Sequence, residues 1–290
     1  MSNTQKIAII TGADGGIGLA TAQGLAAKGF TLALVCRTKE KGQAALATIN
    51  RTSALPHRLF LADLADKEQV YSLADALHEC YDAVELLVNN AGLMSLMPRT
   101  APDGMELTMA VNVRAPFMLC NLLLDRLNHG LDPRIINVSS ALHERGKVNW
   151  QQLDRYTTPQ PDYSGWRIYS DSKLMLTTFT QELAQRTSQL PLTVGSLHPG
   201  VISTQLGRDF DDYGWLGTTA FKLAKLFMLS PEQGAAPSIK LATDPSLAGK
   251  KGIYLHRLKA KAPHPDAAVP AHGQALWKWL SAKSGLVTMV

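Results

Sequence analysis

Tyr169 and Lys173 stand four residues apart in Tyr169-Ser170-Asp171-Ser172-Lys173, at the opening of a helical pattern continued by Leu174, Leu176, Phe179 and Leu183. Residues at that spacing share one helix face, about 6 Å apart along the axis. An ammonium so placed favours the phenolate and would lower a tyrosine pKa from about 10 toward the range in which general acid–base catalysis works. Tyr/Lys pairs arise by chance in many helices, so the meaning of this one depends on its setting. The apolar run before it ends Ile135-Ile136-Asn137-Val138-Ser139-Ser140. A serine at the carboxyl end of a strand can donate to a carbonyl oxygen as negative charge develops there. Ser140 is the candidate for that role and Ser139 for tying the loop to backbone; ordinary turn chemistry is the alternative for both.

A second group of residues suits a phosphate. The first apolar run leads into Thr11-Gly12-Ala13-Asp14-Gly15-Gly16-Ile17-Gly18. Residues without Cβ let backbone amides approach a pyrophosphate, and the helix that follows turns its positive end to the anion. The glycine spacing is neither GxGxxG nor that of a P-loop, since no Lys-Ser/Thr follows Gly18. The second run ends Val35-Cys36-Arg37-Thr38-Lys39, with Lys41 close behind. An acidic residue at this strand end would bond the adenosine ribose and repel a 2′-phosphate, whereas Arg37 can grip that phosphate with a planar fork. NADP(H) rather than NAD(H) is therefore expected. The plainer alternative makes Arg37 and Lys39 exposed charges at a helix entry.

These residues need a scaffold that delivers strand ends to one place. Ile7–Thr11, Leu32–Cys36, Leu59–Ala62, Leu86–Asn89, Ile135–Ser139, Thr193–Leu197 and Ile253–Leu255 are short apolar runs of the kind found in strands buried on both faces. Between them lie helical patterns such as Ile17–Lys28, Lys39–Asn50 and Lys67–Tyr81. The alternation predicts an α/β fold: a doubly wound parallel sheet of about seven strands, Rossmann-type, with helices on both faces. With no internal repeat or linker, residues 1–290 read as a single dinucleotide-binding catalytic domain. Two stretches break the rhythm, a polar insertion near 145–167 and an aromatic-rich segment near 204–230. Both follow strand carboxyl ends, where open α/β sheets place their ligand crevices.

Composition narrows the class further. The 290 residues are 46% hydrophobic and 18% charged, and the net charge of +5 forms no block of like charges. The basic stretch Lys250–Lys261 is interrupted by apolar residues and reads as a solvated face, not a nucleic-acid site. Cys36, Cys80 and Cys120 are far apart and fit free thiols in a reducing compartment. The polar start, Met1–Lys6, runs straight into an apolar strand and predicts neither a signal peptide nor a transmembrane segment. A soluble cytoplasmic protein is expected. No HExxH, paired carboxylates or metal-ligand spacing emerges, so no metal is expected.

Taken in order, these motifs resemble the short-chain dehydrogenases/reductases. The family's TGxxxGxG turn appears as Thr11–Gly18, its NNAG stretch as Asn89-Asn90-Ala91-Gly92, its asparagine as Asn112, and its serine and YxxxK pair as Ser140, Tyr169 and Lys173. Pro199-Gly200-Val201-Ile202-Ser203-Thr204 matches its PG…T segment. The resemblance implies hydride exchange between nicotinamide and a carbonyl/alcohol pair. Tyr169 would be the general acid/base, and Lys173 would lower its pKa and hold the ribose. Ser140 would polarise the carbonyl, and Asn112 would support a proton-relay water. Gly12, Asp14, Gly16, Ile17, Gly18, Arg37, Asp63, Leu64, Asn90, Ala91, Gly92, Pro199, Gly200, Ile202 and Thr204 would bind cofactor with Tyr169 and Lys173. Asn90 would brace the sheet, Asp63 contact adenine, and Ile202 and Thr204 the carboxamide. The Cys36-Arg37 strand end, Ser196-Leu197-His198-Pro199-Gly200-Val201, Ser230-Pro231-Glu232-Gln233-Gly234-Ala235 and the long gap between Ser140 and Tyr169 resemble the retinol dehydrogenase-like branch. Family members often form homodimers or homotetramers through helices corresponding to residues 105–128 and 169–188.

Tyr213, Trp215, Leu216, Phe221, Leu223, Leu226, Phe227 and Met228 cluster after the sixth strand. They suit a bulky apolar ketone, aldehyde or alcohol as the small-molecule substrate; a helix packed on the core, or shallow docking on a membrane, would use the same residues. Trp166 and His143 could also line a pocket, although packing explains them as well. The reading from another class is a catalytically silent nucleotide-sensing or scaffold protein of the same fold, which would be expected to lack the tyrosine or lysine.

Overall fold

A computed structural model describes residues 5–200 and 229–288. Its first half alternates strand and helix: β1 (Lys6–Thr11), α1 (Gly16–Ala26), β2 (Phe30–Cys36), α2 (Lys39–Asn50), β3 (Arg58–Leu61), α3 (Lys67–Cys80) and β4 (Leu86–Asn89). There follow α4 (Leu107–Met109), a π-helical turn (Ala110–Arg114), α5 (Ala115–Leu122) and α6 (Leu124–Asn128). β5 (Arg134–Val138), α7 (Gly165–Arg186), β6 (Thr193–His198), α8 (Pro231–Thr243), β7 (Ile253–His256), β8 (Lys259–Ala260) and α9 (Pro270–Ser284) complete the described chain.

All these strands join one sheet in the order β3-β2-β1-β4-β5-β6-β7-β8. Every pairing is parallel except β7 with β8. Among the described residues the sheet has eight strands, where the apolar runs indicated about seven. β8 is only Lys259–Ala260, both exposed, and is folded back across a turn in which Arg257 takes φ 55. A two-residue strand is too short to leave an apolar run to detect. Winding reverses between β1 and β4, and that switch point opens a crevice at the strand ends.

Alternate residues of β1 face opposite layers. Ile7 and Ile9 join the core under α3, α5, α7 and α9, while Ala8 and Ile10 join the core under α1, α2 and α8. β2, β4, β5 and β6 are buried throughout, whereas the edge strand β3 is exposed at both ends. On one face Gly24 of α1 lets the side chain of Ile239 on α8 come within 2.3 Å of where a Cβ would stand. On the other, α9 inserts Trp277 against Phe117 of α5 and Phe179 of α7, with ring centroids 5.1 and 5.9 Å apart. The helices that the family resemblance assigned to subunit pairing thus already carry a helix of the same chain.

α7 begins one turn earlier than its apolar periodicity indicated. Ser164 caps it by accepting from the Arg167 N–H, so Tyr169 lies in the second turn and the insertion ends before residue 165. Between β5 and α7 the chain makes two 3₁₀ turns, at Ala141–Arg145 and Leu153–Tyr156. Two tyrosines pin it to the core: Tyr156 donates to Asp171 at 3.0 Å and Tyr163 to Glu106 at 3.1 Å. Among the described residues no helix is long and apolar enough to cross a membrane.

Candidate active site

The glycine turn closes on itself so tightly that two side-chain-free positions are obligatory. Gly12 has φ +64, and a Cβ on Gly18 would lie 2.0 Å from the Gly12 carbonyl oxygen and 2.5 Å from Asn90 Nδ2. Asn90 locks the turn from β4 by donating to the carbonyls of Thr11 at 2.9 Å and Gly12 at 3.2 Å. In return Thr11 Oγ1 accepts from the N–H groups of Asn90 and Ala91, each at 3.0 Å. The family resemblance implies a bracing role for Asn90, and these bonds join the ends of the two strands at the switch point. No side chain caps α1, so its first amides face the crevice beside Gly15, Gly16 and Ile17.

That crevice holds about 440 Å³ and is lined by the turn, by Arg37 and Lys41, by the Asp63–Ala65 loop and by Asn90–Ser95. Gly12, Asp14, Gly16, Ile17, Gly18, Arg37, Asp63, Leu64, Asn90, Ala91 and Gly92 all line this one crevice. Lys41, rather than Lys39, accompanies Arg37 in the lining. Cys36 also lines it, its thiol pushed up to about 12 by burial and then by the charge of Asp14, which leaves it a weak nucleophile. Arg99, Leu107 and Val111 complete the wall and were not singled out from sequence. Leu107 and Val111 share a helix face, a signal the periodicity held; Arg99 sits in a loop with no motif around it.

The four candidate catalytic residues gather just beyond Gly92. Lys173 Nζ and Asn112 Oδ1 would lie 3.1 and 3.2 Å from a Cβ at that glycine. Asn112 is fully buried on the π-helical turn, accepting from Leu93 N–H at 2.9 Å while its amide donates to the Leu93 carbonyl at 2.9 Å and to Ser172 Oγ at 3.0 Å. Ser139 turns inward and donates to the Lys173 carbonyl at 3.0 Å, the tethering role foreseen for it. Ser140 caps the 3₁₀ turn through the Leu142 N–H at 3.2 Å and is hydrogen-bonded to the Tyr169 phenol. His143 is buried, with Nδ1 2.7 Å from the Ser140 carbonyl and its ring packed on Tyr254, in a packing role.

One electrostatic expectation is corrected. Burial pushes the Tyr169 phenol up to about 12, with only the Ser140 hydrogen bond pulling it down. Lys173 does not lower it: its ammonium donates to the Val138 carbonyl at 3.0 Å and lies 5.7 Å from the Tyr169 ring centroid. Burial also draws Lys173 down to about 8. Desolvation thus outweighs the charge–phenol attraction that helix spacing alone predicts.

Pro199 and Gly200 follow β6, with Gly200 at φ +105 donating to His198 Nδ1 at 3.1 Å; like Tyr169 and Lys173, they are not among the residues that line this crevice. Ile202, Thr204 and the aromatic cluster from Tyr213 to Met228 lie outside the described residues. Among those described, no His, Cys, Asp or Glu cluster could hold a metal ion.

Comparison with known proteins agrees with this geometry. The short chain dehydrogenase family model matches residues 6–213. Human retinol dehydrogenase 13 is 38% identical over 276 residues, spanning 94% of this chain and 82% of that protein. Mouse retinol dehydrogenase 11 is 34% identical over 87% of this chain and 79% of its own length. Among solved structures, an uncharacterized protein from Mycobacterium paratuberculosis has a TM-score of 0.77 at 28% identity, covering 99% of this chain and 96% of that one. L-sorbose reductase from Gluconobacter frateurii, solved with NADPH and L-sorbose, has a TM-score of 0.71 at 22% identity over 87% of this chain and 94% of its own, a likeness of fold alone. The chain belongs to the short chain dehydrogenase family, on its retinol dehydrogenase-like branch.

Proposed function

We propose that this chain is an NADP(H)-dependent oxidoreductase that interconverts a carbonyl and an alcohol on a bulky, apolar small molecule. The reading rests chiefly on the meeting of Ser140, Tyr169 and Lys173 beside Gly92, at one end of a glycine-lined crevice. The residues present fit a dinucleotide: Gly12 and Gly18 lack the Cβ atoms that would strike Ala91 and the Gly12 carbonyl, so the turn can close beneath the crevice, and the uncapped start of α1 offers amides to a pyrophosphate. Arg37 and Lys41 would hold the 2′-phosphate, and Asp63 and Leu64 would flank the adenine.

When bound, nicotinamide supplies the hydride chemistry; the protein handles the proton. Tyr169 keeps its phenolic hydrogen at neutral pH and is poised to donate it to a carbonyl oxygen. Ser140 Oγ, bonded to that phenol, orients the same oxygen and steadies the charge that develops on it. Lys173, held by Val138, carries a positive charge near the site, and Asn112 fixes the Leu93 loop against α7. Ile202 and Thr204 are assigned to the carboxamide on family resemblance.

The apolar substrate class draws on the aromatic segment after β6 and on the retinol dehydrogenase relatives, whose names specify an apolar alcohol. Three free cysteines suit a reducing compartment, and we place the protein in the cytoplasm. Residues 1–290 are read as one catalytic domain.

The decisive experiment follows NADPH oxidation across a panel of hydrophobic and small polar carbonyls. Turnover should favour the hydrophobic set and fall at least ~10²-fold in Tyr169→Phe. Binding of NADPH without turnover of any carbonyl would point to the silent sensor instead. Arg37→Ala should raise KM for NADPH far more than for NADH; an unchanged ratio would remove the NADP(H) preference.

A further inference from the structure

Arg114 ends the π-helical turn that carries Asn112, and 1% of its surface reaches solvent. A guanidinium so buried is costly unless its donors are bonded. Nη2 donates to the Ala65 carbonyl at 2.8 Å, and Nη1 donates to the Asp103 carboxylate. Burial opposes ionisation of Asp103, but the hydrogen bond and charge of Arg114 outweigh it and hold the carboxyl below its usual range.

The two partners belong to different parts of the crevice wall. Ala65 closes the Asp63–Ala65 loop after β3, and all three residues line the crevice. Asp103 lies in a small closed loop in which Thr100 pairs with Glu106 and the Leu107 N–H donates to the Arg99 carbonyl at 3.0 Å. Arg99 and Leu107, at the ends of that loop, line the crevice as well. Arg114 therefore sits behind the lining and joins two of its walls. The Asp63–Ala65 loop follows β3, whose neighbour β2 delivers Arg37. Tyr169 and Lys173 act at the other end, beyond Gly92.

We propose that Arg114 is a positioning residue that sets the width of the crevice where the purine end of a nucleotide lodges, by clamping the Ala65 carbonyl to the Asp103 loop. The inference rests on the nucleotide reading above and adds a determinant of cofactor affinity that contacts neither cofactor nor substrate. π-Helical turns recur at functional sites. Here one turn carries Asn112 toward the catalytic end and Arg114 behind the opposite one.

Calorimetric titration of the full chain with adenosine 2′,5′-bisphosphate, paired with steady-state kinetics, tests it. Arg114→Lys keeps a charge but cannot span both partners as a fork does. It should weaken adenosine bisphosphate binding and raise KM for NADPH about tenfold, with kcat at saturation and KM for the carbonyl unchanged. Asp103→Asn, on a loop residue whose side chain is 29% exposed, should shift the same two quantities in the same direction by less. Unaltered nucleotide binding in both folded variants would overturn the proposal. So would a fall in kcat matching the loss of affinity, which would mean general disordering of the fold. If the wild-type chain itself fails to bind adenosine bisphosphate, the nucleotide reading has failed and the clamp loses its ligand; binding by wild type and variants alike removes the clamp alone.

Discussion

The phenol of Tyr156 donates to the buried carboxylate of Asp171 at 3.0 Å, and the Lys147 N–H gives the same carboxylate a second bond at 2.7 Å. Asp171 stands midway between Tyr169 and Lys173 on α7, so the insertion is fastened to the helix that carries the candidate catalytic pair. Burial raises the Asp171 pKa, which marks the carboxylate as dependent on its two donors. Tyr156→Phe removes one of them and should cost about 1–3 kcal/mol in denaturant unfolding. A cost near zero would show that the insertion is held elsewhere.

Gly18 admits no side chain. A methyl group there would stand 2.0 Å from the Gly12 carbonyl oxygen, which is backbone and cannot step aside without opening the turn. Gly18→Ala should destabilise the fold by about 1–3 kcal/mol and weaken nucleotide binding together. Thermal melts with and without NADPH would check both, and a variant that melts and binds as wild type contradicts the geometry.

Lys173 should leave a signature in stability against pH. Its pKa is drawn from 10.5 to about 8 in the folded protein by burial. Between those values the unfolded chain keeps a proton that the folded chain has released, so folding grows more favourable as pH rises through that window. Below it, the buried ammonium weighs against the fold at full strength. Lys173→Met carries no such group. The stability of wild type relative to this variant should therefore rise by about 3 kcal/mol between pH 8 and pH 10.5. A difference that stays flat would mean the ammonium is not desolvated.

Trp277 ties α9 to the rest of the chain. Its indole meets Phe117 and Phe179, and the Arg186 guanidinium stacks over it at 4.3 Å while bonding Glu182 at 2.7 Å. Trp277→Ala should cost about 3–5 kcal/mol. Hydrogen exchange should then rise first across α9 and the faces of α5 and α7 beneath it; uniform acceleration over the whole chain would show that α9 is not a separate layer.

Much of this arrangement is local and can be read along the chain. Short apolar runs between helical patterns mark β1 to β7, because strands buried on both faces are made of little else, and Lys39–Asn50 and Leu86–Asn89 match observed elements residue for residue. The glycines of the turn, the serine pair and the Tyr169–Lys173 spacing are equally local, since each follows from one strand end or one helix turn. β8 escaped because two residues are too few to carry a periodicity, and the start of α7 was displaced because a serine cap, not an apolar residue, sets it.

Contacts between distant segments were decided only in three dimensions. That Asn90 would bond the Thr11 and Gly12 carbonyls, that Arg114 would reach both Ala65 and Asp103, and that Arg99 would join Arg37 in one crevice all depend on which strands become neighbours. The burial that raises the Tyr169 pKa is likewise a property of the packed fold. Helix spacing supplies the attraction between phenol and ammonium, but the depth of burial that overrides it belongs to the packed sheet and its helices, and no window of sequence contains it.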